Sequence, residues 1–343
     1  MKLQRLMLAV LAVCGTSAAL AQSSVTLYGR VNTTVENWKF GSQKAITGLT
    51  SNSSYVGFRG VEDLGGGLKA GFILESKFGS DDGSGSGAGG LNFTRQSEVN
   101  LSGNFGIVRM GAYDPASYLA VADPVSMHNH DTGYSADALY KTVMQTGNQI
   151  AYRTPDFGGF NAEVQYSFGE KKVTDGLENK GAVDLALNYA NGPLGLGMGY
   201  SRAKKDAVLL GADSNKEQQF GLRGSYAFGP VTLAAYYQYY KADVGTVDYK
   251  RHAARIAAMY TLGASEFHVN VGRANKIKDN FGTQAGTAAT QWTLGYNYNL
   301  SKRTKLYGYY TKVNNGRNYY YGPEGGATGE NFRSFAVGVR HLF

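Results

Sequence analysis

Disulfide chemistry is excluded almost at once. The chain has one cysteine, Cys14, and it lies in the apolar segment at the start. With that segment removed, neither a disulfide framework nor a cysteine metal site is available. Proline and tryptophan are scarce too, with 6 and 2 residues in 343. After the first segment, no apolar run approaches the roughly 20 residues that a membrane helix needs. No nucleophile–base set has local support, so the sequence asks for no enzyme, no cofactor and no nucleic-acid partner. The string GSGAGG at 85–90 fits a G-x-G-x-x-G pattern but opens no helix, so no dinucleotide site is expected there. His128 and His130 lack a supporting carboxylate or thiolate spacing, so no metal is expected either.

What the chain does have is glycine and tyrosine, 47 and 25 residues. The opening MKLQRLMLAVLAVCGTSAALAQSS places Lys2 and Arg5 before an apolar run, then small residues ending Ala19-Leu20-Ala21. That pattern predicts a secretory signal over 1–21, cleaved before Gln22. A lipoprotein-type box around Cys14 is disfavoured because Val13 stands where a small residue is wanted. The mature part, 22–343, has 343 − 21 = 322 residues, and losing Lys2 and Arg5 takes the formal charge from +8 to +6. An exported, cysteine-free chain rich in Gly and Tyr points to extended β structure.

From Ser24 onward one unit recurs: an alternating segment, a tight turn, another alternating segment, a longer polar loop. The turns are EDLGGG, GNFG, DFGGF, NGPLG, FGP, LGAS and LSKR, each with the Gly, Asn or Pro that turn geometry favours. The expected strands begin near 24, 51, 68, 93, 107, 148, 160, 182, 194, 217, 231, 250, 266, 289, 304 and 332. That makes about sixteen, each of roughly ten residues, with short turns and long loops in strict alternation, as an outer-membrane β-barrel requires. A soluble sandwich or propeller would explain the turns but not this alternation. In the ending FRSFAVGVRHLF, Phe335, Val337, Val339, His341 and Phe343 form one set, mostly apolar, and Ser334, Ala336, Gly338, Arg340 and Leu342 another, small or charged apart from Leu342. Period two gives this strand a greasy face and a wet one. The expectation is an all-β, 16-stranded antiparallel barrel whose last strand pairs with the first and whose greasy face meets lipid.

Several stretches then carry a family likeness: SSVTLYGRV, SSYVGFRGVEDLGGGLKAGFILES, FTRQSEVNLSGNFGIVRMG, QIAYRTPDFGGFNAEVQYSFGE and the ending VGVRHLF. In this order and spacing they resemble the Gram-negative general porins, closest to the neisserial and burkholderial type, across essentially the whole mature chain. The resemblance implies a trimer, a third long loop folded inward to narrow the pore, and a terminal Phe343 read by the barrel-assembly machinery. That loop should be residues 114–147, which hold Asp114, Asp123, Asp131 and Asp137. Its length alone marks it as functional.

The same resemblance implies a basic ladder on the opposite wall. Strand parity puts Tyr28 and Arg30 inside, with Val25, Leu27 and Val31 outside. It also puts Tyr55 and Arg59, then Lys69, Glu75 and Lys77, in the lumen. Ile150 and Tyr152 face out, which leaves Arg153 inside and facing the loop carboxylates, Asp123 or Asp131 above all. Parity around FTRQSEVNLSG is ambiguous; the motif match puts Arg95 inside, which turns Glu98 outward, to a subunit contact or the membrane edge. The family often has Arg where this chain has Tyr55, and a second basic site is Ala112 here, so the ladder is thinner than usual.

The expected function is a passive diffusion channel for small hydrophilic solutes and ions, in the outer membrane among lipopolysaccharide and other lipids, with a modest anion preference. Basic wall and acidic loop would set up a transverse field. The alternatives are an outer-membrane barrel phospholipase or protease, which would need a Ser/His or Asp/His set, and a non-conducting structural or adhesion barrel.

Overall fold

The computed structural model describes residues 24–85, 90–127, 133–143, 147–169, 171–172, 177–205 and 215–343. The expected signal segment, with Cys14, lies outside them, as do His128, His130 and Asp131.

Among the described residues the wall has sixteen strands, all in antiparallel pairs. They are β1 (Ser24–Phe40), β2 (Ile46–Ser51 continuing as Tyr55–Gly65), β3 (Leu68–Lys77), β4 (Gln96–Gly103), β5 (Gly106–Ala112), β6 (Gln149–Arg153), β7 (Phe160–Ser167) and β8 (Leu177–Asn191). The second half is β9 (Leu194–Lys205), β10 (Asn215–Phe228), β11 (Val231–Val244), β12 (Val247–Leu262), β13 (Ser265–Ala274), β14 (Ala289–Asn299), β15 (Thr304–Asn315) and β16 (Phe332–Leu342). A short helix, α1 (Ala116–Val121), follows β5. The sheet closes because β1 pairs with β16, from Arg30 opposite Leu342 to Phe40 opposite Phe332. Closure leaves no strand edge open, and sixteen strands enclose a channel that side chains alone do not fill.

The strand starts expected from turn chemistry agree with these to within a few residues, with three differences. β2 is broken at Asn52–Ser54, where Ser53 takes a positive φ of 59°, and β1 pairs with both halves. The alternation of short turns and long loops is not strict, because β11 and β12 join at the loop end through Gly245 and Thr246 alone. Gly245 has φ 58°, the left-handed conformation that such a two-residue hairpin needs. Strand lengths are also uneven, from 5 residues in β6 to 16 in β12 and 17 in β1.

Polarity is inverted relative to a water-soluble domain. Val25, Leu27, Val35, Leu49, Val99, Ile256, Val271, Leu294, Phe335, Val337 and Val339 are exposed on the outside. Asn32, Thr34, Glu36, Gln165, Asp184, Gln219, Gln238, Asn270, Thr293, Thr311 and Ser334 are buried on the inside. An exposed apolar belt of this extent is stable only against hydrocarbon. None of the described helices is long and apolar enough to cross a membrane; the strands provide the crossing.

Candidate functional site

The lumen holds the described parts of the segment between β5 and β6, 113–127 and 133–143, and wall polarity explains why they stay there. Buried side chains on the inner face offer hydrogen bonds to its backbone. Gln165 accepts from Ala116 N at 3.1 Å, and Asp184 accepts from Ser117 N at 2.7 Å. Gln238 accepts from Lys141 N and donates to its carbonyl, at 2.9 and 2.8 Å. Gln291 accepts from Ala138 N and donates to Ala136 O, at 2.8 and 2.9 Å. A wall amide with both a donor and an acceptor satisfies two backbone groups of an irregular segment at once.

The wall also makes room. Under α1 the inner positions of β9 and β10 are Gly197, Gly199 and Gly221, beside Ala186, Ala234 and Ala257. A Cβ on Gly197 would meet Ala120 O at 2.1 Å, and one on Gly199 would meet Ser117 at 2.8 Å. The run LGLGMGYS therefore spells a seat: small residues at every second position let a helix lie flat on a sheet.

Asp137 is part of this attachment, not an open pore carboxylate as its place in the loop suggested. Its Oδ2 lies 3.1 Å from Arg255 Nη1 and accepts from Tyr236 Oη, while its Oδ1 accepts from Leu139 N at 2.8 Å. Burial alone would raise this carboxyl's pKa; Arg255, the Tyr236 hydroxyl and the backbone donor hold it below the ordinary value. Arg251 donates to Leu139 O at 2.6 Å and its guanidinium lies 5.2 Å from the Tyr321 ring.

The other acids and the basic ladder form a second group. Arg30, Arg59 and Arg95 come together around Tyr28 and Tyr55. Arg59 stacks 4.8 Å over Tyr28, while Arg95 and Arg30 lie 4.4 and 5.4 Å from the centre of the Tyr55 ring. Glu75 ties them below: Tyr28 Oη donates to it at 2.7 Å, and Arg95 Nε lies 2.8 Å from it. Tyr55 thus acts as a spacer between two guanidiniums, each such contact worth about 0.5–1 kcal/mol where water reaches it. Asp123 lies within electrostatic reach of Arg30, Arg95 and Asp114. It is open to the lumen yet crowded by protein. That desolvation, then Asp114, raises its pKa above the usual carboxylate value, and Arg30 and Arg95 pull it back. Asp114 is itself exposed.

Three expected residues stand apart. Lys69 and Lys77 share the inward parity of Glu75 but sit exposed at opposite ends of β3. Arg153 keeps the inward parity, opposite Glu163. It is, however, the last residue of the five-residue β6, at the turn end, whereas the loop joins β6 at Gln149. It is therefore not brought to Asp123, whose charged neighbours are Arg30 and Arg95, nor to Asp137, which pairs with Arg255.

Glu98 is a correction. It is buried on the inner face and paired with Arg109, Nη2 to Oε2 at 2.9 Å; Arg109 also reaches Glu163 at 2.9 Å. The parity argument failed because Arg95 precedes the strand, which starts at Gln96, so both side chains can point inward. Sequence reasoning also passed over Arg340, on the wet face of the last strand and close enough to Arg30 to repel it. It missed Arg109, Arg251 and Arg255 and the inward glutamines as well. A mid-strand Gln or Arg flanked by outward apolar residues was the available signal.

Among the described residues no group of three or more His, Cys, Asp or Glu could hold a metal ion. A closed barrel with an apolar belt, a polar lumen and a charged constriction defines a transmembrane channel of the outer-membrane type. Comparison with known proteins narrows this. Residues 8–318 match the Gram-negative porin family model, and the chain belongs to that family. It is 36% identical to outer membrane porin protein 32 of Delftia acidovorans over the full length of both chains. It is 27% identical to an outer membrane porin protein of Bordetella pertussis, covering 95% of this chain and 96% of that one. The solved anion-selective porin from Comamonas acidovorans superposes with a TM-score of 0.78 at 33% identity, covering 94% of this chain and all of the other. Channel function of the porin type follows at the level of the family.

Proposed function

We propose that this porin is a passive diffusion channel for small hydrophilic solutes and ions with a modest preference for anions, and that it catalyses no reaction. The observation that carries this is the placement of Arg30 and Arg95 on the lumen wall facing Asp123, with Arg59 and Arg340 on the same side. Fixed cations raise the local anion concentration, and salt in the lumen screens them over about 8 Å at physiological ionic strength. The similarity to a solved anion-selective porin supports the same sign. Planar-bilayer recording across a KCl gradient tests it: a reversal potential on the anion side is expected. Cation preference would refute the selectivity, and absence of conductance would point to a structural barrel.

Signal cleavage after Ala21 and assembly as a homotrimer belong to the same proposal, as does the neisserial and burkholderial subtype. The outward positions of β3–β6, such as Phe72, Leu74, Val99, Leu101, Met110 and Ile150, carry no charge, and β4–β6 are only 8, 7 and 5 residues long. A low, uncharged wall suits burial against other copies. Phe343 pairs with Gly29 through two backbone bonds of 3.2 Å, its ring over the bare Cα of that glycine. As the signal read by the barrel-assembly machinery, its deletion should lower insertion in cells far more than the stability of the refolded barrel. Normal insertion of the shortened chain would argue against this role.

A further inference from the structure

A hollow of about 360 Å³ lies on the inner face of β10–β12, toward the loop end. It begins one inward row above Gln238, the residue that holds the backbone of Lys141. In that first row Tyr240 of β11 stands opposite Arg251 of β12. In the next, Ala242 is flanked by Glu217 of β10 and Tyr249 of β12. A methyl group between two long side chains leaves the space. Lys141 of the inserted loop and Tyr319 of the β15–β16 connection complete its lining. The row shares the inward parity of Gln238, so the hollow belongs to the channel and not to the lipid face.

Its chemistry is mixed in a particular way. Lys141 is exposed, and among the described residues no carboxylate lies within ion-pair distance of it. Glu217 is already engaged by the Tyr240 hydroxyl. Arg251 lies between the rings of Tyr240 and Tyr321, 5.7 and 5.2 Å from their centres. It gives Nη2 to Leu139 O, while its buried Nε has no hydrogen-bond partner among the described residues. A buried donor left unpaired is unfavourable until an acceptor reaches it. Tyr319 is exposed, with its ring centre 4.7 Å from that of Tyr321. A tyrosine presents a flat apolar face with a polar tip, suited to a ring that carries a polar group.

We propose that this hollow binds a monocyclic aromatic carboxylate. The ring lies against Tyr249 and Tyr319, and the carboxylate is held by Lys141 and the Arg251 guanidinium. A small inorganic anion would answer the cations and leave the tyrosine faces uncovered. A neutral sugar would cover the faces and leave the cations unanswered. An aromatic acid does both, and the hollow is within the range of about 300–1,000 Å³ usual for small-molecule sites. The site is separate from the Arg30, Arg59 and Arg95 group. It rests on the channel reading above, as a station where such a solute is held before it meets the constriction.

The test uses the refolded full-length protein in a neutral detergent, with 4-fluorobenzoate as the probe and its fluorine NMR line width as the readout. The parent should broaden the line, and unlabelled benzoate should reverse this while acetate at the same concentration does not. The Lys141→Gln/Tyr319→Ala variant should bind roughly tenfold more weakly, the loss of one charged contact and one ring face. Lys141→Arg keeps the charge and should retain binding, which separates a lost contact from a lost fold. Equal affinity in the double variant would overturn the proposal, as would loss of binding in Lys141→Arg. Equal affinity of the parent for trifluoroacetate would overturn the role of the rings, and equal affinity for 4-fluorobenzyl alcohol would overturn that of the cations. Chloride conductance in planar bilayers is read separately. A parent that binds the probe and does not conduct refutes the channel and keeps the site; one that conducts and leaves the line sharp refutes the site alone.

Discussion

Two sets of arginines point into the same barrel and do opposite things. Arg30, Arg59 and Arg95 lean on tyrosine rings on the lumen wall with no loop over them, although Arg30 also donates Nε and Nη2 to Ser53 O at 3.0 and 2.7 Å. Across the lumen, Arg251 and Arg255 are buried under the inserted loop, Arg255 with 1% of its surface exposed, and bond to that loop's carbonyl and carboxylate groups. Residue type and strand parity are the same in both sets. What separates them is whether the loop lies on top. A guanidinium under the loop holds structure; one left uncovered sets the field on the function proposed above.

The sharpest way to break this contrast is Arg255→Ala. Removing one partner of a buried pair leaves Asp137 uncompensated, a loss of about 3–5 kcal/mol. Thermal unfolding should fall accordingly, and single-channel conductance should rise and become noisy as the loop detaches. An unchanged trace would show that the glutamine contacts hold the loop without it. Next in size is Gly199→Val, which puts side-chain atoms where Ser117 lies. Overpacking costs about 1–3 kcal/mol, and the helix should shift toward the lumen and lower conductance. A conductance equal to that of the parent would mean the wall yields instead.

The uncovered set should respond in the other way. Arg59→Ala/Arg95→Ala should change stability by no more than about 1 kcal/mol, as for a partly exposed pair such as Arg95 with Glu75. The anion-to-cation permeability ratio should nevertheless drop by roughly a factor of two or more. If stability collapsed while selectivity held, the two sets would have been assigned in reverse. The smallest effect concerns pH. Asp123 has a raised pKa, so it loses its charge at a higher pH than an ordinary carboxylate as the solution is acidified. Removing a negative charge beside Arg30 and Arg95 favours anions, so the reversal potential should move to the anion side as pH falls from about 7 toward about 4, the ordinary carboxylate range. Asp123→Asn should abolish most of that movement; a full shift in the variant would assign it to other carboxylates.

Much of this was legible in the sequence, for a physical reason. Period-two alternation and turn residues are local, and they fixed fifteen of the sixteen strand starts closely, β2 being the split one. Inward orientation of Arg30, Arg59 and Arg153 followed from the same local rule. Height along the strand did not, because it depends on where each strand begins and ends relative to its neighbours. Arg153 was therefore placed on the right face and at the wrong end. The use of Asp137 and Arg255 was hidden for a related reason: 118 positions separate them, and only closure of the barrel brings them together. The outward placement of Glu98 failed on a single-residue boundary, the point at which Arg95 leaves the strand.

The seam between β1 and β16 has a consequence for how the molecule comes into being. β1 needs β16 for most of its hydrogen bonds on one side, and β16 is the last strand to emerge in synthesis. Every shorter stretch of the chain is an open sheet with two unsatisfied borders, and in hydrocarbon each unpaired backbone group costs several kcal/mol. No half-built form can therefore rest in the bilayer as a stable intermediate by its own chemistry. Closure and insertion are therefore coupled on physical grounds: the two borders meet as the sheet enters hydrocarbon, with Phe343 against Gly29 at the seam.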